Sequence, residues 1–335
     1  MSWPDEIPPI RDSADVAVEE VLSDIGAEKN GRRIEAPLVW TTPKSRDPAL
    51  HPHREFVPYG KDKLRQAGSS DMNNASRFIA DFKANAEKSL YLFAYAVLGL
   101  TRLTTTLHKP VCQWLTQIPA YRKMLLLPRD HLKTSIASRS LPLHILIQPK
   151  ESNIYRPNYE GASTRILLAN ETVSWAEKQL RWIKAKCEGG YLLRRLWPDV
   201  FWSKPTRQAP AWTKNEIVLQ RSMDYPEPSI DTVGVGGAIA GRHYDVIIDD
   251  DLATLKAANS ETLMLETIEW HTASRSLFDD PNTGLEFIIG TRWTASDLYQ
   301  SIIDNDPSVE YQIRAIEEPD DESGEMRPIM PVGGE

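Results

Sequence analysis

The chain has 335 residues, of which 41% are apolar and 26% charged, and carries a formal net charge of −8. That is enough apolar material for one substantial core with a smaller appended unit. No apolar run approaches the roughly 18 residues of a membrane span, and the opening MSWPDEIPPIRD lacks a signal-peptide pattern, so membrane and export classes are set aside. Cys112 and Cys187 have no metal-ligand neighbours and point to a reducing compartment.

In chain order, residues 1–70 are rich in Pro and charge with little apolar periodicity, and read as an extended, wrapping or partly disordered segment. Residues 71–100 read as helical, with Phe78, Ile79, Phe82, Ala86, Leu90, Phe93 and Val97 recurring at three- and four-residue steps, and form an expected lid or packing helix. From 101 to 316 strands and helices alternate. Strands are expected at 123–127, 165–169, 217–220, 229–234, 244–249, 286–290 and 309–315, and helices at 134–147, 171–187, 260–277 and 296–304. Pro142 should kink the first of these helices or end it early, and Ser296 should cap the last. The alternation predicts an α/β fold with a mostly parallel sheet flanked by helices, whose ligands sit at the strands' carboxyl ends. Residues 317–335 read as an acidic linker or truncated end, and no internal repeat is found.

Three motifs lie at that edge. KMLLLPRDHLKTS (123–135) runs an apolar strand into a loop ending in Lys133, Thr134 and Ser135 and then into a helix. Phosphate binding needs backbone N–H groups at a helix start, a Lys for the β and γ phosphates and a hydroxyl for Mg²⁺. Lys133 and Thr134 fit the last two, although Arg129, Asp130, His131 and Leu132 stand where glycines and spacers are usual; a chance Lys-Thr after a strand is the plain alternative. YDVIIDDD (244–251) delivers Asp249, Asp250 and Asp251 at the end of an apolar strand, where adjacent carboxylates need a cation or water between them. Asp249 is expected to hold Mg²⁺ and Asp250 to handle the attacking water, as in P-loop ATPases. EFIIGTRW (286–293) places Thr291 at the tip of a neighbouring strand to sense the γ-phosphate.

PRDHLKTS, GRHYDVIIDDD and IIGTRWTASDLY together resemble the Walker A, Walker B and coupling motifs of the large terminase subunit, the DNA-packaging motor of tailed bacteriophages. The resemblance runs from Tyr121 to about Arg314. It implies a P-loop NTPase of the ASCE type, an ATPase that uses ATP and Mg²⁺ to drive double-stranded DNA into a procapsid. Arg129 matches an arginine that the family carries early in Walker A. Gln113 falls where the family keeps an adenine-reading glutamine, and Arg242 in a region that supplies an arginine to the neighbouring subunit's ATP, a role for which Arg129, Arg139 and Arg292 compete. The implied partners are a portal protein, the small terminase subunit and further copies in a ring, pentameric in the family, in the host cytoplasm and transiently on the procapsid.

Three departures stand out. Leu132 replaces a glycine common before the Lys, and the catalytic acid is Asp where many members have Glu, which leaves Asp250 and Asp251 both open as the base. Nothing after Arg314 supplies the family's nuclease domain, so no nuclease activity is expected of this chain. Residues 178–221 hold ten Lys or Arg against three acids, with four interleaved tryptophans. Arg181, Lys184, Lys186, Arg194 and Arg195 are therefore candidate DNA contacts, the alternative being a solvated basic face over buried tryptophans. His243 and His271 have no companions at metal spacing and are assigned no metal. Another P-loop DNA motor such as a helicase, or a non-catalytic nucleotide-binding assembly protein, remains the rival function.

Overall fold

The computed structural model describes residues 69–118, 121–238, 241–319 and 326–329, together with the short antiparallel pair Leu38–Val39 and Val57–Pro58. The rest of the expected extended segment and of the acidic end lies outside the described residues. The chain divides into two compact units, Met1–Asn85 and Ala86–Glu335.

Helix α1 (Ser69–Lys88) begins in the first unit, two residues before the expected start, and its last three residues belong to the second. In the second, Leu90–Leu92 leads into a π-helical turn, Phe93–Val97, and α2 (His108–Leu115), which the sequence periodicity did not reveal, follows.

The second unit is built on a seven-stranded sheet. Its strands are β1 (Arg122–Leu126), β2 (Ile166–Asn170), β3 (Glu216–Ile217), β4 (Ile230–Gly234), β5 (Val246–Asp250), β6 (Leu285–Gly290) and β7 (Glu310–Ile313), in spatial order β3-β4-β2-β5-β6-β1-β7. All pairs are parallel except β3 with β4. β6 lies between β1 and β5, so the lysine-threonine loop and the acidic strand flank the strand that carries Thr291.

Side chains alternate across each strand. One face carries Met124, Leu126, Leu167, Ala169, Ile247 and Ile288, which pack with Met264 and Trp270 of α5 (Glu261–Ser274) and with Leu298, Tyr299 and Ile302 of α6 (Leu298–Asn305). On the other lie α3 (Leu141–Leu146), its π-helical lead-in Ser135–Ser140, and α4 (Val173–Gly189), bridged by Arg139 Nε donating to Gln179 at 2.7 Å. Helix packing on both faces explains why the inner strands read as unbroken apolar runs.

The chain does not kink at Pro142 by breaking the helix. The strain is taken up just before it, where Ser135–Ser140 winds as a π-helix and hands over to α3 with Pro142 in its first turn. The cap of α6 is Asp297 rather than Ser296, its carboxylate accepting from Gln300 N at 3.0 Å. Gly290 at the tip of β6 is fixed by packing, since a Cβ there would meet the Tyr299 ring at 2.1 Å. Of the acidic end, Glu317–Pro319 and Met326–Pro328 pair as an antiparallel ribbon. Among the described residues no helix is long and apolar enough to cross a membrane.

Candidate active site

β1 ends at Leu126, and the loop that follows turns back into the π-helical start of the next helix. Asp130 and Leu132 adopt φ of +65° and +57°. These are left-handed conformations that glycine normally supplies and that strain an L-residue by about 1–2 kcal/mol. Alternation of left-handed with ordinary residues is the backbone pattern from which anion-binding concavities of N–H groups are built. The glycine-free sequence thus still reaches a glycine-like backbone. The loop is braced from beneath: buried His108 of α2 takes the Thr104 N–H on Nδ1 at 2.8 Å, leaving Nε2 to donate to His131 O at 3.3 Å. His131 Nδ1 in turn lies 2.7 Å from Arg129 O, so its ring structures the loop.

Thr134 and Lys133 project towards the tip of β5. The Thr134 hydroxyl donates to Asp250 Oδ1 at 3.0 Å, and Lys133 Nζ lies 3.4 Å from Asp251 Oδ2. Asp251 leaves the strand with φ +48°, and its N–H still bonds Ile289 O at 2.8 Å. Burial and then the neighbouring Asp251 charge push the Asp250 carboxyl up to about 7, against the pull of hydrogen bonding and of Lys133. Asp250 and Asp251, in that order, are the acids that meet the loop.

This corrects the expected register by one residue. Asp249 shares a face with Ile247, not with Asp250, and so points away from Thr134 into the layer beneath α5. There its Oδ2 accepts from His271 Nδ1 at 2.9 Å, and Glu286 of β6 completes a buried group of three side chains with the right donor types for a cation. Sequence spacing gave His271 no companions because these partners lie on two separate strands, Asp249 22 residues before it and Glu286 on the strand that follows α5. The Asp249 carboxylate raises the His271 pKa above its ordinary value, although burial alone would lower it.

The other expected site residues divide. Thr291 is at the same edge, its hydroxyl donating to Leu127 O at 3.3 Å, which ties the tip of β6 to the start of the loop. Arg129 is exposed and stacks its guanidinium over Trp293 at 4.5 Å. Asp130 is exposed, and Leu132 O and Ser135 O accept bonds from Ile136 N and the Ser140 hydroxyl within the helix that follows. Arg139 is held by Gln179 and the Trp182 ring, and Arg292 by Asp297 and Thr294 O. Gln113 is exposed on α2.

Arg242 is not at the carboxyl edge. It precedes β5 at the sheet's amino edge, where its Nη1 lies 2.5 Å from buried Asp231 of β4. Among the described residues nothing brings it to the loop.

Among the candidate DNA contacts, three basic side chains are taken up by packing. Lys184 donates to Thr213 O at 2.8 Å, Lys186 to Leu98 O at 2.7 Å, and Arg194 to Ser203 O at 3.4 Å. Trp197 is buried, and Trp202 and Trp212 donate to Val218 O and Glu188. Arg181 and Arg195 are exposed, Arg195 lying over the Tyr191 ring.

No family profile matches the chain, and no curated protein matches it. Among solved structures it is similar to one described as the HK97 bacteriophage large terminase, at 16% identity and a TM-score of 0.37, over 61% of this chain. The chain spans 37% of the length of that terminase.

Proposed function

We propose that the chain is a P-loop ATPase of the large-terminase kind, using ATP hydrolysis to move double-stranded DNA into a viral procapsid. The observation that carries this reading is the meeting of Thr134 with Asp250 and of Lys133 with Asp251 at the carboxyl edge of a parallel sheet. A hydroxyl and an ammonium on a strained anion-binding loop, facing two carboxylates, is what hydrolysis of a metal-bound nucleotide triphosphate requires.

The donor set fits Mg²⁺. Thr134 and Asp250 offer hard oxygens 3.0 Å apart, and the buried Asp251 Oδ1 has no hydrogen-bond partner. Thr134 and Asp250 would hold the ion, which when bound would offset charge on the phosphates. The chain's own residues do the rest. Backbone N–H groups of 130–134 hold the phosphates, and Lys133 neutralises the β and γ groups. Asp251, half-exposed beside Lys133, orients the attacking water and takes its proton. Arg129, exposed over the Trp293 ring, adds positive charge as the phosphoryl group transfers. Thr291 links the γ-phosphate position to β1 and β6.

Copies in a ring, a portal protein and a small subunit are the partners this reading brings, with action in the host cytoplasm on the procapsid. The test is phosphate release by the purified chain with and without double-stranded DNA. DNA-stimulated turnover that Lys133→Ala abolishes supports the motor; nucleotide binding without turnover would leave an assembly protein with a non-hydrolytic site. Unwinding of a forked duplex would favour a helicase.

A further inference from the structure

His271 is not used by the site chemistry above, yet it is a buried ionisable side chain bonded to a buried carboxylate. It projects from α5 into the sheet layer with Asp249 and Glu286, all three buried. Its Nδ1 is 2.9 Å from Asp249 Oδ2 and its Nε2 is 4.0 Å from Glu286 Oε1. An ionised carboxylate only accepts, so Nδ1 carries the hydrogen. Glu286 is held on its other side by Arg122, whose Nε donates to Oε2 at 2.6 Å. Asp249 Oδ1 and Glu286 Oε1 have no hydrogen-bond partner.

Two readings compete for this cluster. A metal would draw the donors around one point. Here Nδ1 already donates to Asp249 at 2.9 Å, and Glu286 is already paired with the Arg122 guanidinium at 2.6 Å. A hydrogen-bonded tie from α5 to β5 uses the Nδ1–Asp249 bond as it stands, with Nε2 in longer electrostatic contact with Glu286 at 4.0 Å.

Asp249 is bonded to Asp250, and successive strand residues point to opposite faces. Whatever fixes the Asp249 carboxylate below the sheet therefore fixes the direction of Asp250 above it, and of Asp251, which departs at φ +48°. We propose that His271 is a positioning residue for ATP hydrolysis: through its Nδ1–H bond to Asp249 it sets the acidic tip of β5 against the phosphate loop. This rests on the hydrolytic reading of Asp250 and Asp251. His271 lies on the face opposite the loop, so its loss should act on turnover rather than on nucleotide binding.

The experiment compares the full chain with His271→Leu, His271→Asn and His271→Gln in steady-state ATPase assays with DNA, with melting curves and fluorescent-nucleotide titrations alongside. Asn places its amide N–H near the position of Nδ1, and Gln near that of Nε2. The expected result is a kcat at least about tenfold lower for Leu and Gln, with KM for ATP within about twofold, and a kcat within about threefold of the unsubstituted chain for Asn. A purely volumetric or stabilising role would not separate Asn from Gln in that order. Equal kcat for Asn and Gln, unchanged kcat for Leu, or failure of both Asn and Gln to fold would overturn the proposal. So would one equivalent of tightly bound metal that persists in Lys133→Ala and is lost in His271→Leu, since that would make the cluster a metal site. Absence of turnover in the unsubstituted chain would defeat the hydrolytic reading itself, whereas turnover that survives in His271→Leu defeats only this inference.

Discussion

The Thr134 hydroxyl donates to Asp250 at 3.0 Å across 116 residues of sequence, joining the helix start after β1 to the tip of β5. One residue earlier, Asp249 bonds His271 on the opposite face. The difference between these two carboxylates is the difference between facing the loop and facing the core.

Asp250→Asn should therefore remove the Mg²⁺-dependent part of ATP binding, because it withdraws a metal-facing charge. Asp251→Asn should leave ATP affinity within about threefold and lower turnover by roughly 10²-fold or more, the usual worth of a positioned base. Nucleotide titrations with and without Mg²⁺, beside phosphate-release rates, separate the two. Mg²⁺-dependent binding that survives Asp250→Asn but not Asp249→Asn would return the register to the one expected from sequence.

Leu132 sits at φ +57° without a glycine's freedom. Leu132→Gly should leave nucleotide affinity intact and fold stability within about 1 kcal/mol, relief of backbone strain offsetting the entropy of the unfolded glycine. Leu132→Val, β-branched and poorly tolerated at positive φ, should weaken ATP binding and lower the melting temperature. Isothermal titration and thermal melts of both variants provide the check, and a Val variant that binds as well as Gly would show that this turn does not shape the phosphate cradle.

Burial lowers the His108 pKa from 6.5 to about 4, aided by the nearby His131, against the bond to the His131 backbone. The unfolded chain takes up a proton as pH falls through 6.5, while the folded chain resists until about 4. Stability is thus full above about 6.5 and declines towards 4, by up to about 3 kcal/mol at 1.36 kcal/mol per pKa unit. His108→Gln keeps a donor for His131 O and cannot titrate. Its melting temperature should change less between pH 7 and pH 5 than that of the unsubstituted chain, and parallel curves would remove His108 as the source.

Arg129 and Arg242 should behave differently. Arg129→Ala removes an exposed charge beside the loop and should lower turnover by about tenfold or more while leaving the melting temperature nearly unchanged. Arg242→Ala removes the cationic partner of buried Asp231, which keeps the Tyr244 hydroxyl at 2.6 Å and the Thr232 N–H at 2.8 Å, and should cost stability before activity. A turnover loss confined to Arg242→Ala, with an unchanged melt, would place that arginine in a neighbouring copy's site after all.

The sequence by itself determined the α/β class, most of the strands and helices around the sheet, and that Lys133–Thr134 and the acidic run after Ile248 follow strands, because apolar runs and their flanks are local patterns; α2 left no such pattern. It also determined that Thr291 stands at a strand tip. Tertiary structure alone decided which of Asp249, Asp250 and Asp251 meets the loop, since alternation fixes that neighbours oppose each other but not which face the loop's helix will cover. It decided likewise that Leu132 takes a left-handed turn, that Lys184, Lys186 and Arg194 satisfy backbone carbonyls, and that Arg242 ends at the sheet's other edge. His271 found Asp249 and Glu286 only when α5 docked across β5 and β6, a contact between elements that carries no trace in the spacing of any one of them.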